Sequence, residues 1–132
     1  AVDPAPHPAR HWADAPPRLD AGLARRLKRG KLPPEDRIDL HGMTRAQARA
    51  ALIGFLVSAQ GRGLRLVLVI TGKGRERADD GLAVPDRTGA LRHELPHWLA
   101  GPPLRSLVQD LRPAHRSHGG GGAFYLWLRR RG

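Results

Sequence analysis

The chain of 132 residues contains no cysteine. This absence excludes disulfide bonds, thiolate metal sites and a cysteine nucleophile. Long apolar runs are missing as well, because no stretch approaches the roughly 20 residues of a membrane-spanning helix. No hydrophobic segment typical of a signal peptide follows the first residue. These absences predict a cytoplasmic protein that does not contact a membrane.

Acidic residues are scarce: 12 of them face 23 lysines and arginines, which gives a formal net charge of +11. All the basic residues except Lys28, Lys31 and Lys73 are arginine, and the planar guanidinium binds phosphate better than an ammonium point charge does. The balance predicts a polyanionic partner, either nucleic acid or the ribosome. The alternative is a merely solubilising surface.

The N-terminal quarter differs in composition from the rest of the chain. Residues 1–33 are predicted to be a flexible proline-rich arm with a short basic helix, in which Leu23 and Leu27 share one face. This helix could dock on the domain or on a partner. Pro33 and the proline after it mark a boundary, so residues 34–132 are predicted to form the globular domain.

Within that domain the hydrophobic patterns predict the order β-α-β-α-β-β. Strands are predicted at residues 38–41, 64–70, 104–111 and 123–129, one helix between Thr44 and Gly61, and a second helix after Thr88. Residues 112–122 are expected to form a loop. The fold class is therefore α/β: a two-layer sandwich with a mixed four-stranded sheet and two helices packed on it.

An acid and a histidine lie side by side at the end of the first predicted strand. The alternation of apolar and polar residues points Asp39 and His41 to the same, outward side. Gly42 permits a turn, and Thr44 is a good N-cap for the next helix. Because a carboxylate two residues away can orient an imidazole, the pair is a candidate for acid–base catalysis. The alternative is a solvated strand end with a capped turn.

A glycine-containing basic segment follows the second predicted strand. Its residues are Thr71, Gly72, Lys73, Gly74, Arg75 and, two positions on, Arg77. Backbone amides in such turns bind phosphate oxygens, and ligands of α/β sheets gather beyond the carboxyl ends of the strands. We therefore predict a phosphate-binding turn that shares a crevice with His41 if the two strands are neighbours. An ordinary strand-to-loop turn is the alternative.

One competing motif is the segment His93–His97, which matches the zinc-peptidase pattern H-E-x-x-H. That chemistry needs both histidines on one face of an intact helix, and Pro96 is predicted to break or kink the helix. Neighbouring leucines assign the buried face, which leaves the histidines toward solvent. No metal site is predicted. The motifs require no cofactor, although they do not exclude a divalent metal.

Three segments together resemble the Smr (small MutS-related) domain over residues 35–131. The segment Ile38–Gly42 is similar to the LDLHG motif of this family, with isoleucine for the first leucine. Ile70–Gly74 is similar to its HGxG motif, except that Thr71 stands where the family often has histidine. A glycine-rich loop, Gly119–Gly122, precedes the last strand.

This resemblance implies an α/β fold similar to the C-terminal domain of bacterial translation initiation factor three. It also implies nucleic-acid binding and often endonuclease activity. Some members nick DNA, and stand-alone bacterial members are linked to mRNA cleavage at stalled ribosomes. The resemblance thus favours an endonuclease acting on RNA rather than on structured DNA. The alternative is a non-catalytic basic module that binds nucleic acid or ribosomes.

Roles for the candidate residues follow from this hypothesis. His41 would be the general base or acid, with Asp39 as its orienting partner, and Lys73 with nearby amides would stabilise charge on the phosphate. Gly42 and the basic turn would contact nucleic acid. A second proton donor would be needed, and His118 or His115 beside the glycine-rich loop is the candidate.

Overall fold

A computed structural model describes residues 21–72 and 90–130 of the chain. The described part contains three helices and four strands: α1 Ala21–Lys28, β1 Asp36–Asp39, α2 Arg45–Gly61, β2 Leu66–Ile70, α3 Ala90–Leu99, β3 Val108–Pro113 and β4 Ala123–Leu128. Short 3-10 turns occupy Leu104–Ser106, Arg116–His118 and Gly120–Gly122. Within these ranges, none of the helices has both the length and the apolar character needed to span a membrane.

The four strands form one mixed sheet in the order β1-β2-β4-β3. β1 and β2 are parallel, whereas β4 is antiparallel to both β2 and β3. Asp39 pairs with Ile70, and Ile70 pairs with Ala123. The C-terminal ends of β1 and β2 therefore meet the beginning of β4 at one end of the sheet. The mixed four-stranded α/β fold is confirmed.

One face of the sheet packs against α2 and α3. Because side chains alternate along a strand, Val67 and Val69 of β2 face these helices together with Leu126 of β4, and all three are fully buried. α2 contributes Leu52 and α3 contributes Leu95 to the same core. This is the predicted layer of two helices on a sheet.

The opposite face of the sheet is covered in part by α1. Leu27 of α1 is 2% exposed and forms a second apolar cluster with residues that include Leu66, Leu68 and Tyr125. The basic helix therefore docks on this domain, one of the two arrangements that its sequence allowed. Because Tyr125 is buried here, its ring is not available for stacking on a base.

Two strands are placed differently from the prediction. The first covers Asp36–Asp39 and not residues 38–41, so His41 lies in the turn after it. Leu104–Ser106 forms a 3-10 turn and the third strand begins only at Val108, because Leu104 and Leu107 are both buried at a spacing that fits a 3-10 turn. The third strand also continues to Pro113, and two 3-10 turns lie within the predicted loop.

A break of the helix at Pro96, one of the two outcomes predicted there, does not occur either. α3 runs continuously from Ala90 to Leu99 with Pro96 inside it. Burial of Leu91, Leu95 and Leu99 anchors the helix on the sheet, and such packing supplies most of the stability of a short helix. His93 and His97 are exposed on its outer side, as predicted.

Candidate functional site

The turn after β1 holds the first candidate histidine in place. Gly42 adopts a φ of +83°, which favours glycine. Thr44 then caps α2: its side chain accepts a hydrogen bond from the Gln47 backbone, and the Gln47 side chain accepts one from the Thr44 backbone. This reciprocal capping box fixes where the helix begins. His41 is therefore positioned between the buried Leu40 and the capped beginning of α2.

His41 and Asp39 form a close pair at this end of the sheet. The Nδ1 atom of His41 lies 2.6 Å from Oδ1 of Asp39, and the His41 backbone amide donates to the same oxygen at 3.0 Å. Partial burial raises the pKa of the Asp39 carboxyl, but the hydrogen bonds from the His41 ring and amide outweigh it, so the pKa lies below the usual value. Asp39 is thus ionised at neutral pH.

The hydrogen position on the His41 ring follows from this pairing. A carboxylate can only accept a hydrogen bond, so the proton of neutral His41 lies on Nδ1. Its Nε2 atom is then left with a free lone pair. Because the His41 side chain is 69% exposed, this lone pair is accessible to a ligand, which suits a general base.

The first two backbone amides after β2 are hydrogen-bonded within the protein. The backbone amides of Thr71 and Gly72 both donate to the Gly122 carbonyl, at 2.9 and 3.1 Å. Thr71 is buried, and its hydroxyl donates to the Gly72 carbonyl at 3.1 Å. These groups therefore fasten the glycine-rich loop to β2 instead of facing a ligand. Lys73, Gly74, Arg75 and Arg77 lie outside the described residues.

Gly72 is the point at which the ends of β1 and β2 touch. It has a φ of +89°, and a Cβ atom added to it would lie 3.3 Å from the Cβ of His41. A side chain at this position would therefore be strained and would press on the histidine. Of the predicted site, the structure thus brings together His41, Asp39 and the glycine of the second turn.

An open concavity of about 570 Å³ begins at Gly72. Its walls include Arg37 of β1, Ile70 of β2, and His118 and Gly119 from the turns before β4. A volume of this order accommodates a small organic ligand. Gly72 thus contacts His41 on one side and lines the concavity with the glycine-rich loop on the other. The predicted crevice shared by His41 and the lysine-bearing turn stays a prediction, because Lys73 lies outside the described residues.

His118 is held by a buried tyrosine that the sequence did not single out. The Tyr125 hydroxyl is hydrogen-bonded to Nδ1 of His118. It also accepts a hydrogen bond of 3.2 Å from the backbone amide of His115. The two rings meet edge to face, with centroids 5.5 Å apart. Tyr125 is 1% exposed, and a buried tyrosine hydroxyl needs hydrogen-bond partners. A tyrosine in a buried strand a few residues after two histidines is therefore the signal in the sequence that could have suggested this contact.

The tyrosine also fixes the proton on the His118 ring. Within residues 21–72 and 90–130, the Tyr125 hydroxyl has no other acceptor, so its own proton goes to Nδ1 of His118. Neutral His118 therefore carries its proton on Nε2. The two candidate histidines thus have opposite tautomers: His41 presents a lone pair at Nε2, and His118 presents an N–H donor.

His115 has a different environment from His118. Its Nδ1 atom lies 2.8 Å from the Ser117 hydroxyl and accepts the Ser117 backbone amide at 3.1 Å, which caps the short turn Arg116–His118. Of the two candidate proton donors, only His118 lines the concavity. No cluster of three or more potential metal-ligating side chains occurs in the described ranges.

The fold and this site define an α/β domain with a paired acid and histidine at one end of a mixed sheet. The family model of the Smr domain matches residues 38–129. The chain belongs to the Smr domain family.

Two relatives and one solved structure show how far the similarity extends. The chain is 31% identical over 107 residues to "Ribosome rescue factor SmrB" of Haemophilus influenzae, covering 81% of this chain and 54% of that protein. It is 32% identical over 112 residues to "Probable DNA endonuclease SmrA" of Escherichia coli, covering 85% of this chain and 54% of the relative.

The structure is similar to that of YdaL, a stand-alone small MutS-related protein from Escherichia coli, with a TM-score of 0.64 and 30% identity. The match covers 85% of this chain and 78% of that structure. The chain thus spans about half the length of these two curated relatives and most of a stand-alone Smr protein.

Proposed function

We propose that the domain is an endonuclease that cleaves RNA by acid–base catalysis with His41 and His118. The observation that carries the proposal is that each histidine is held through Nδ1, His41 by Asp39 and His118 by Tyr125, at the end of the sheet where Gly72 contacts His41 and lines the concavity with His118. This arrangement leaves both Nε2 atoms free to act as one proton acceptor and one proton donor. Cleavage of a phosphodiester by transfer through the 2′-hydroxyl requires one of each. The name of one relative, a probable DNA endonuclease, is consistent with a nuclease, and that of the other, a ribosome rescue factor, is consistent with a setting on the ribosome.

The proposed reaction begins with proton transfer from the RNA 2′-hydroxyl to Nε2 of His41, while Asp39 stabilises the imidazolium that forms. The 2′-oxygen then bonds to phosphorus and the bond from phosphorus to the 5′-oxygen breaks. His118, which enters the step protonated as the imidazolium, donates its Nε2 proton to that leaving oxygen and returns to the neutral form. The products are a 2′,3′-cyclic phosphate and a 5′-hydroxyl.

Basic groups would hold the phosphate during this step. Arg37 lines the concavity, and a guanidinium stabilises charge that develops on a phosphate oxygen. Gly42 and the basic segment Lys73–Arg77 are proposed to contact the nucleic acid. Thr71 and Gly72 would act indirectly, because they fasten the glycine-rich loop that bears His118.

RNA is favoured over DNA by this chemistry, since deoxyribose has no 2′-hydroxyl for His41 to activate. The proposed setting is mRNA on stalled ribosomes, which the name of the Haemophilus influenzae relative supports. The name of the Escherichia coli relative supports DNA nicking as the second candidate. A non-catalytic basic module is the third, and the formal charge of +11 favours it over an enzyme with a small-molecule substrate.

A direct comparison of substrates tests the proposal. The protein is incubated with end-labelled structured RNA and with branched DNA, with and without EDTA, and the products are resolved on a denaturing gel. We expect RNA cleavage that persists in EDTA, and intact DNA. Nicked DNA together with intact RNA would contradict RNA cleavage and support DNA nicking, the second candidate function. Salt-sensitive binding with both substrates intact would identify a non-catalytic module.

Tyr125 provides a test of the tautomer argument. Tyr125→Phe removes the hydroxyl that orients His118, so we expect kcat for RNA cleavage to fall about tenfold, as for other partners that orient a functional histidine, with KM unchanged. The cost to stability should be about 1 kcal/mol, the net worth of a typical hydrogen bond.

Steady-state kinetics and thermal unfolding measure the two effects separately. The control is Trp127→Phe. Trp127 lies on the same face of β4 as Tyr125, and this substitution does not alter the contact to His118. Equal kcat in the Tyr125→Phe variant and the control would remove Tyr125 from the mechanism.

A further inference from the structure

A second concave surface lies beside the candidate site and is strongly basic. This basic groove has a volume of about 520 Å³ and is lined by Arg25, Lys28, Arg29, Lys31 and His115. No carboxylate contributes to its lining. Within residues 21–72 and 90–130, none of its four cationic side chains forms a salt bridge. The groove therefore carries four uncompensated positive charges.

The groove is a fixed part of the fold. Leu27, between its arginines, is 2% exposed and packs in the cluster on the outer sheet face. After α1, Gly30 turns the chain with a φ of +70°, and a Cβ atom added there would lie 2.7 Å from the His115 ring. Gly30 and Lys31 donate to carbonyls of the last helical turn at 3.0 and 2.8 Å. The two walls of the groove are therefore in direct contact.

The basic groove and the concavity are linked by one short stretch of chain. His115 lines the groove, whereas Ser117 and His118, two and three residues later, line the concavity. The turn Arg116–His118 connects them along the chain, and Arg116 and Ser117 are exposed. A strand that leaves the concavity across this turn would reach the cations of α1 next.

Charge and chemistry are divided between the two surfaces. The concavity contains the proton donor His118 and one cation, Arg37, together with the carboxylate of Asp36. Asp36 is paired with Arg62 at 2.9 Å. Phosphate contacts usually supply affinity and position for a nucleic acid, whereas other groups act on a particular nucleotide. With four cations and no carboxylate in its lining, the groove has the composition of a surface that binds phosphates.

We propose that the basic groove binds the sugar–phosphate backbone of the RNA strand next to the phosphate that is cleaved in the concavity. This inference rests on the proposed function, because it takes the same strand through both surfaces. It gives α1 a role in substrate binding: the helix extends the site from a single phosphate to several.

A charge-matched pair of double variants tests this inference. Arg25→Gln with Arg29→Gln removes two charges from the groove. Arg105→Gln with Arg130→Gln removes two arginine charges from exposed positions at the opposite end of the sheet. Binding of labelled single-stranded RNA is measured by fluorescence anisotropy at several salt concentrations, with His41→Ala added to every protein so that the RNA stays intact.

The groove variant should bind RNA about tenfold more weakly than the control at about 150 mM salt, and its salt slope should be smaller by about 1.4, as expected for two lost contacts to a single strand. Equal affinity and slope in the two double variants would overturn the inference. A loss seen with single-stranded DNA but not with RNA of the same sequence would also overturn it.

Cleavage assays separate failure of this inference from failure of the proposed function. With His41 intact, the groove variant should have a raised KM for long RNA and unchanged turnover of a dinucleotide, which fills only the concavity. Equal loss on both substrates would place the effect in the site itself and contradict the groove assignment. If wild-type protein cleaves neither RNA while the binding difference remains, the groove stands and the nuclease assignment fails.

Discussion

Replacing His41 with alanine is expected to lower kcat/KM for RNA cleavage by about 10²- to 10⁴-fold, the usual contribution of a positioned general base. The loss should appear in kcat, because the base acts on the reacting 2′-hydroxyl and not on the distant parts of the substrate. Gel-based cleavage of labelled RNA under single-turnover conditions measures it. The fold should survive, since the His41 side chain is 69% exposed.

The chain offers a matched control for this substitution. His93 is also an exposed histidine, but it lies on the outer side of α3, which packs on the other face of the sheet from the concavity, so His93→Ala should retain wild-type activity. Asp39→Asn should show an intermediate loss of about tenfold, because the amide keeps part of the contact to His41 without the charge. Full cleavage by His41→Ala would remove this histidine from the mechanism.

His118→Ala is expected to produce the second large loss, again about 10²- to 10⁴-fold in kcat, because the 5′-oxygen would leave without a proton. The Tyr125 hydroxyl, buried and still accepting the His115 amide, would remain in place. The loss of kcat would therefore be due to the missing imidazole and not to unfolding of the turn that contains residue 118. Circular dichroism and thermal unfolding check that the variant is folded.

A substrate with an activated leaving group distinguishes an acid from a base. A uridine 3′-phosphodiester of p-nitrophenol releases a stable phenolate that needs no proton, so His118→Ala should cleave it at nearly the wild-type rate. His41→Ala should stay impaired, since the 2′-hydroxyl still has to be deprotonated. If both variants were equally slow on both substrates, His118 would not be the acid.

Regular patterns in the sequence predicted much of the fold. The continuous aliphatic run of β2 and the alternation of β4 each signal a strand directly, and Thr44 as an N-cap marks the beginning of α2. The prediction misplaced β3 because polar residues interrupt the strand. It also took the buried residues Leu104 and Leu107 for strand residues, although they belong to the 3-10 turn before β3. The helix containing Pro96 depended on tertiary packing, which the local signal does not include.

The candidate site was predictable only where its contacts are local. Asp39 ends β1 and His41 lies two residues later in the turn, so their contact is local in the sequence. The amides of Thr71 and Gly72 looked available, but the Gly122 carbonyl, fifty residues away, binds both. The role of His118 likewise depends on Tyr125, across two turns. Contacts between residues that lie far apart in the sequence can be identified only from the folded structure.

The central claim is that His41 and His118 act as base and acid on one RNA phosphate, and the chemical nature of the cleaved ends tests it most directly. Products of the wild-type protein formed in EDTA are treated with phosphatase and then with acid, and the RNA 3′ end is identified by mass spectrometry. We expect a 2′,3′-cyclic phosphate with a 5′-hydroxyl on the other fragment. A 3′-hydroxyl with a 5′-phosphate would contradict the account, because those ends require attack by water and leave the 2′-hydroxyl unused.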